Sequence, residues 1–209
     1  ADSLETSKSA LAPFNELLSN KTFKTARLFE YHCDRIDSQS DVKKALCKLL
    51  EGEGNTSYFS FRMGFYGSRD LSDIGFVNGE IVTSGYFNQG AIIDIGNVNI
   101  DEVTKTTPAV RAIRNLKTVD TVKAFEEYEA SLKKGHKVDE YEFRSKVEAK
   151  PGHTFIGRFS AYRTDEFVTG YNSSGVRIAT DDRRSDIVVV FRVLSIEKDG
   201  GPNLIWREI

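Results

Sequence analysis

The chain has 209 residues, of which 39% are hydrophobic and 29% are charged, and its formal net charge is −2 at pH 7. This composition is typical of an ordinary globular protein and excludes an intrinsically disordered or membrane-embedded chain. Because the balanced charge offers no basic surface for a polyanion, we expect no nucleic-acid partner. The longest apolar run, residues 187–191, is far shorter than the roughly 20 residues that cross a bilayer, so we also expect no transmembrane segment.

The N-terminal part of the chain combines helical and strand patterns. Apolar residues recur at helical spacing over 11–18, which predicts a short amphipathic helix. Polar and apolar residues alternate over 23–33, and the enrichment in threonine and aromatic residues favours a strand there. After a turn, Ser40 is placed to cap a helix over 42–50 that ends at Gly52.

Cys33 and Cys47 are the only two cysteines of the chain. They fall on the predicted strand and on the helix that follows it, so one disulfide could join these two elements if their Cα atoms approach within about 7 Å. By the chain-entropy estimate, a loop of this size would stabilise the fold by about 3 kcal/mol. A single pair of cysteines favours an exported protein, so we expect an extracytoplasmic location, either secreted or periplasmic.

A β-rich block follows the cysteines. Residues 58–66 alternate, which places Phe59, Phe61, Met63 and Phe65 on one face of a strand. Asn78-Gly79 predicts a type I′ hairpin turn, because both central residues of that turn need positive φ. Residues 88–90 are expected to form a second turn before a strand over 91–95, which completes an antiparallel meander.

Two helices are predicted near residues 108–134. Thr107-Pro108 indicates a helix start, because proline is favoured at the first helical position. Asp120 is expected to cap the second helix, which places Phe125 and Leu132 on its apolar stripe and ends at Gly135.

The β pattern returns after Gly135. Residues 141–147 alternate, which predicts a strand with one solvated face. Strands are also expected over 153–162 and 187–196, and the second of these is apolar on both faces and therefore central. Residues 204–206 are expected to close a hairpin with it.

These elements predict an α+β fold with a mostly antiparallel β-sheet or an open barrel, an N-terminal helix and strand region, and two inserted helices. We expect a single domain over 1–209. The alternative is a subdivision near residue 135, with a helix and β-meander over 1–135 and antiparallel strands over 136–209.

No catalytic motif stands out in the sequence. His32 and Cys33 are adjacent, but neighbours on a strand point to opposite faces and cannot form one thiol–imidazole pair. The three dispersed histidines and the absence of a CxxC pattern argue against zinc.

The most suggestive cation motif follows the strand over 91–95. Asp94, Asn97, Asn99 and Asp101 could place oxygen atoms on one side, with Glu102 close by, and a hard cation such as calcium prefers such ligands. The segment lacks the central glycine and terminal glutamate of an EF-hand loop. Capping of backbone groups at the end of a strand is the alternative role for these side chains. No other cofactor is expected.

Aromatic residues make up 11% of the chain. Most fall on alternating strand positions and belong to the core. The candidates for an exposed recognition surface are tyrosines, namely Tyr58, Tyr66, Tyr86 and Tyr162.

The sequence therefore supports three hypotheses about function. The first is an exported, non-enzymatic binding module that presents sheet-face and loop aromatics to an unknown protein or carbohydrate partner. The second is a carboxylate-dependent hydrolase, assisted by calcium or not, that uses residues such as Asp94, Asp101 and Glu102. The third is a structural component of a larger assembly.

Overall fold

The structure of the chain, a computed structural model, describes residues 6, 8–30, 57–67, 69–85, 88–119, 121–161, 163–164, 178–179, 186–198 and 201–209. The predicted half-cystines Cys33 and Cys47 and the helix expected over 42–50 lie outside the described residues. The helices are α1 (Lys8–Leu11), α2 (Asn15–Ser19), α3 (Pro108–Arg114) and α4 (Val122–Lys134). Short 3₁₀ turns occupy Ala12–Phe14, Arg69–Leu71 and Ile100–Glu102.

The strands of the described residues fall into four groups along the chain. Before the helical region lie β1 (Lys24–Arg27), β2 (Tyr58–Ser60), β3 (Phe65–Tyr66), β4 (Ile74–Val77), β5 (Glu80–Thr83) and β6 (Asn88–Asp94). After it come β7 (His136–Val138), β8 (Tyr141–Phe143), β9 (Lys146–Glu148) and β10 (Thr154–Ala161). A small ribbon is formed by β11 (Arg163–Thr164) and β12 (Ile178–Ala179), and the last strands are β13 (Asp186–Ile196) and β14 (Pro202–Glu208).

The first five-stranded sheet, which we call sheet A, has the strand order β1-β14-β13-β10-β6 and is antiparallel throughout. As predicted, the strand at the C-terminal end, β14, forms a hairpin partner of β13. The longest strand, β13, lies at the centre of sheet A, which explains why both of its faces are apolar.

Sheet A separates two hydrophobic clusters. Alternate residues of β13, such as Val189 and Phe191, pack on one side against a second sheet. The intervening residues, Val188 and Val190, pack on the other side against α3 and the chain around it. The alternation of side chains along a strand therefore assigns the two apolar faces of β13 to two different layers.

The second five-stranded sheet, sheet B, has the order β3-β2-β4-β5-β9 and is also antiparallel. The predicted hairpin at Asn78-Gly79 is confirmed: both residues have positive φ, 52° and 79°, between paired strands β4 and β5. The turn expected at residues 88–90 is wrong. These residues instead begin β6, because their backbone pairs with the end of β10 from Asn88↔Ala161 to Gly90↔Phe159.

Backbone hydrogen bonds join the two sheets along one side. Ile92 of β6 and Arg144 exchange two backbone hydrogen bonds of 2.8 and 2.9 Å, and the next residue, Ser145, accepts one from Thr83 of β5 at 2.8 Å. The strand expected over 141–147 is consequently split into β8 and β9, because the residues between them bond to both sheets.

Helices α3 and α4 confirm the prediction of two helices near 108–134. Helix α4 ends at Gly135, which has a φ of 91°, as expected for a glycine past the end of a helix. Its N-cap is Thr121 and not Asp120, since the Thr121 hydroxyl accepts the Ala124 amide at 3.2 Å.

The described part of the chain is thus an α+β fold that is mostly antiparallel sheet, as the sequence predicts. A division near residue 135 stays a prediction, although each five-stranded sheet contains strands from both sides of that residue. Among the described residues, no helix is both long enough and apolar enough to span a membrane.

Candidate interaction surface

The structure describes two of the four tyrosines predicted to form a recognition surface. Tyr58 is only 8% exposed and packs so closely over Gly75 that a methyl group there would lie 2.5 Å from a Tyr58 ring carbon. Tyr66 is partly buried, and its hydroxyl bonds to the backbone of Arg27. Tyr86 and Tyr162 lie outside the described residues.

Other apolar side chains that are near these tyrosines in the sequence are exposed. Met63 is 45% exposed, Phe65 52% and Leu71 64%. We call these three residues the 63–71 apolar surface. The other large hydrophobic side chains exposed among the described residues are Val138 and Ile196, at 38% each, and they lie elsewhere in the chain. Three strongly exposed apolar side chains within nine residues are more informative than single exposed ones, which are common on protein surfaces.

A tight turn brings these residues to the surface. Simple alternation predicts that Phe59, Phe61, Met63 and Phe65 share one face of a strand. Instead, β2 ends at Ser60, and the Gly64 amide donates to the Ser60 carbonyl at 2.8 Å, with Gly64 at a φ of 71°. Phe59 and Phe61 stay in the core at 2% exposure, whereas Met63 and Phe65 follow the reversal and emerge.

A buried carboxylate holds this turn in place through hydrogen bonds. The Asp73 side chain is 0% exposed and accepts hydrogen bonds from the Ser60 hydroxyl and the Arg62 amide, both at 3.2 Å. It also forms an ion pair with the Arg62 guanidinium. The Ser60 hydroxyl in turn accepts the Met63 amide at 3.3 Å, so the chain from Ser60 to Met63 is bonded to this cluster.

Arg62 ties the same turn to sheet A. Its guanidinium donates to the Phe159 carbonyl at 2.8 Å and to the Asn88 side-chain oxygen at 3.3 Å. Burial raises the pKa of Asp73, and this effect exceeds the opposing influence of Arg62 and of the hydrogen bonds. The protein therefore keeps an ionisable group in an unfavourable environment at the base of an exposed apolar turn.

The 3₁₀ turn that presents Leu71 is also anchored. The Ser84 hydroxyl donates to the Arg69 carbonyl at 2.8 Å, and the Asp73 amide donates to the Phe59 carbonyl at 3.0 Å. The chain on both sides of Leu71 is thus bonded to sheet B.

The segment predicted to bind calcium lies at the end of β6, and most of its side chains bond to other residues. Asp94 contacts the His153 imidazole, with Nδ1 3.0 Å from both carboxylate oxygens. The Asn97 side-chain oxygen accepts from the Arg192 guanidinium at 2.7 Å, and burial lowers the pKa of Arg192. A cation at Asn97 would have to displace this guanidinium.

The remaining predicted ligands, Asn99 and Asp101, lie in or next to the 3₁₀ turn at Ile100–Glu102. The Asn99 side-chain amide donates to the Glu102 carboxylate at 2.9 Å, while Asp101 is exposed in the 3₁₀ turn. No group of three or more His, Cys, Asp or Glu side chains suited to a metal occurs among the residues that the structure describes. The calcium site stays a prediction.

The contact between Asp94 and His153 is one that sequence reasoning missed. The two residues are 59 positions apart, and they meet because β6 pairs with β10 in a register that places Asp94 opposite Phe155, close to His153. No local motif signals such a pair, since only the strand order brings it together.

Comparisons with protein-family models, curated proteins and solved structures found no match to this chain. The geometry of the described residues is therefore the basis for the functional argument.

Proposed function

We propose that this protein is a non-enzymatic binding module whose 63–71 apolar surface contacts an apolar patch on a protein partner. The observation that carries the proposal is the clustering of Met63, Phe65 and Leu71 at 45–64% exposure within nine residues. Exposing such side chains to water is unfavourable, and binding a partner would remove that cost.

The chemistry of the surface favours a protein over a carbohydrate partner. Sugars require hydrogen-bonding groups next to an aromatic face, whereas methionine and leucine provide apolar contact area alone. Methionine adapts to irregular apolar partners, and aromatic anchors contribute much of the binding energy in protein interfaces. The proposal therefore commits to a protein and departs from the tyrosine-based surface that the sequence suggests.

The anchoring of the turn supports the same proposal. Asp73 and Arg62 fix the backbone that presents Met63 through a backbone hydrogen bond and an ion pair. A surface that is ordered in advance loses less conformational entropy on binding, which favours affinity. A purely structural turn would not need exposed apolar side chains at its end.

We also propose that the two sheets form an open barrel and that the protein is exported. The barrel is supported by the backbone bonds between Ile92 and Arg144 on one side and by the Tyr66–Arg27 contact on the other. Export rests on the cysteine pair alone.

A hydrolase is a second candidate, and one observation favours it. The Nδ1–H of His153 donates to the Asp94 carboxylate, and this bond orients an imidazole that is 32% exposed, as a general base requires. If this candidate is correct, the protein should hydrolyse an ester or phosphodiester substrate. The His153→Gln substitution should abolish this hydrolysis, and Arg192→Lys should leave its rate unchanged. Hydrolysis unaffected by His153→Gln would reject it.

The binding proposal can be tested by photo-crosslinking from the proposed surface. Phe65 is replaced by p-benzoylphenylalanine, and a matched chain carries the same group at Val138, which is exposed but lies on the β7–β8 hairpin. Both are irradiated with extracytoplasmic fractions of the source organism. We expect a discrete protein adduct from position 65 that is absent from position 138.

A second substitution decides whether the adduct reports on this surface. Leu71→Asp leaves position 65 unchanged and makes the apolar surface partly polar, so it should reduce adduct yield and should weaken binding of the purified partner by at least about tenfold. Adducts that form equally at Val138, adducts that persist in the Leu71→Asp chain, or covalent dimers of the chain itself would each contradict the proposal.

A further inference from the structure

Met63 is the sole methionine of the chain, and it belongs to the 63–71 apolar surface. Its exposure of 45% leaves the thioether open to small reagents in solution. Trp206, the single tryptophan of the chain, is 2% exposed. Among the described residues, the thioether of Met63 is therefore an exposed group that reacts directly with peroxides, and it lies at the proposed binding surface.

The turn keeps that sulfur at the surface. The Met63 amide donates to the Ser60 hydroxyl, and the next amide, that of Gly64, donates to the Ser60 carbonyl. Since Ser60 is itself bonded to buried Asp73, the backbone at Met63 cannot turn the side chain inward without breaking the buried cluster.

We propose that Met63 is a modification site at which a hydroperoxide oxidises the thioether to a sulfoxide and so weakens partner binding. A sulfur lone pair attacks the outer peroxide oxygen, and the O–O bond breaks to release hydroxide or alkoxide. The proton on the transferred oxygen passes to this leaving group, which departs as water or an alcohol and leaves the sulfoxide. The sulfur loses two electrons and the peroxide gains them. The sulfoxide is reversible by methionine sulfoxide reductases.

The consequence for binding follows from polarity. Oxidation places a strong hydrogen-bond acceptor beside Phe65, and burying that oxygen against an apolar partner without a donor is unfavourable. This inference rests on the proposed function for its effect on binding, whereas the reactivity of Met63 does not depend on it.

The first experiment measures reactivity alone. The native chain is treated with hydrogen peroxide, quenched and digested with trypsin, which cuts after Arg62 and Arg69 and releases a cysteine-free peptide that starts at Met63. We expect the native chain to gain one oxygen in this peptide at a rate within about threefold of the isolated peptide. A rate slower by about tenfold or more would overturn the assignment of Met63 as an oxidation site.

The second experiment measures the effect on binding through the yield of the position-65 adduct. Peroxide should lower that yield severalfold, and methionine sulfoxide reductase should restore it. The adduct yield of the Met63→Leu chain, whatever its value before treatment, should not change with peroxide, while Met63→Gln should lower the yield as oxidation does. If peroxide does not change the adduct yield of the wild-type chain, the proposed effect of Met63 oxidation on binding is wrong, and the binding proposal is unaffected. If no adduct forms before oxidation, the binding proposal itself is wrong.

Discussion

The hydroxyl of Tyr66 bonds to both backbone polar groups of Arg27, accepting its amide at 3.0 Å and donating to its carbonyl at 2.6 Å. Among the described strands, Tyr66 lies on β3 at one edge of sheet B, and Arg27 lies on β1 at one edge of sheet A. The Tyr66 hydroxyl therefore bonds to the backbone of β1 as a neighbouring strand would, and this contact links the two sheets. Burial raises the pKa of this hydroxyl, which favours the protonated form that donates to the Arg27 carbonyl.

Tyr66→Phe removes this link and leaves the aromatic ring in place. We expect it to lower the free energy of unfolding by about 1–3 kcal/mol, because two backbone groups lose their partner in a partly buried position. Urea unfolding followed by tryptophan fluorescence measures the change. Tyr141→Phe, on the β7–β8 hairpin, is the matched control and should change stability by less than about 0.5 kcal/mol. Equal effects of the two substitutions would contradict a linking role for Tyr66.

Asp73→Ala should be among the most destabilising single substitutions of a polar residue. It leaves the Arg62 guanidinium and the Ser60 hydroxyl without their buried acceptor, for an expected loss of about 3–5 kcal/mol in the free energy of unfolding. Asp73→Asn keeps an acceptor oxygen and should cost clearly less. Chemical denaturation of the two variants side by side tests this, and a loss below about 1 kcal/mol for Asp73→Ala would show that the cluster does not hold the turn.

Asp186 should make stability fall in acid. Partial burial raises the pKa of Asp186. The hydrogen bonds from Arg158, at 2.8 and 2.9 Å, and from Ser160 lower this pKa by more than burial raises it, so the net shift is downward. The folded carboxylate stays unprotonated where the unfolded one takes up a proton. This stabilisation is therefore fully present above the unfolded value of 3.8 and is lost as the pH falls through the folded value.

The measurement is the free energy of unfolding of Asp186→Asn as a function of pH. The variant should be less stable than the wild type at neutral pH and should show a flatter decline below about pH 4. Asp139→Asn is a suitable control, because asparagine tolerates the positive φ of 55° found at that exposed turn residue. Parallel pH profiles for the wild type and Asp186→Asn would refute the prediction.

Gly75→Ala tests the packing that removes Tyr58 from the surface. The added methyl group would lie 2.5 Å from the Tyr58 ring, so we expect a loss of about 1–3 kcal/mol. In the Tyr58→Val background, Gly75→Ala should lower the free energy of unfolding by less than it does in the wild type. A double-mutant cycle measures the coupling, and additivity within about 0.5 kcal/mol would show that Tyr58 is free to move away.

Alkylation of the native protein tests the disulfide predicted between Cys33 and Cys47. We expect neither cysteine to react with iodoacetamide in protein purified from its own source, and both to react after reduction. Intact mass measured before and after reduction gives the number of labelled thiols. Free alkylation of both residues in the native protein would remove the basis for proposing export.

Sequence reasoning located most of the described strands and both helices of the 108–134 region. It failed where a residue's neighbours come from distant parts of the chain. Residues 88–90 have the composition of a turn, yet their backbone pairs with β10, and pairing with a distant strand outweighs local turn preference. Likewise, Asp94 meets His153 through the order of strands, which no local pattern encodes.

Periodicity by itself determined that β13 is central, because a strand with two apolar faces must be covered on both sides. The Asn78-Gly79 turn was also determined by the local sequence, because few residues other than asparagine and glycine tolerate the positive φ that this turn requires. Only the tertiary structure decided which apolar residues are exposed. Phe61 and Met63 have the same pattern in the sequence, but the turn fixed by Asp73 and Arg62 buries the first and exposes the second. Exposure depends on where the chain reverses, and here the ion pair between buried Asp73 and partly buried Arg62, eleven positions apart, sets that reversal.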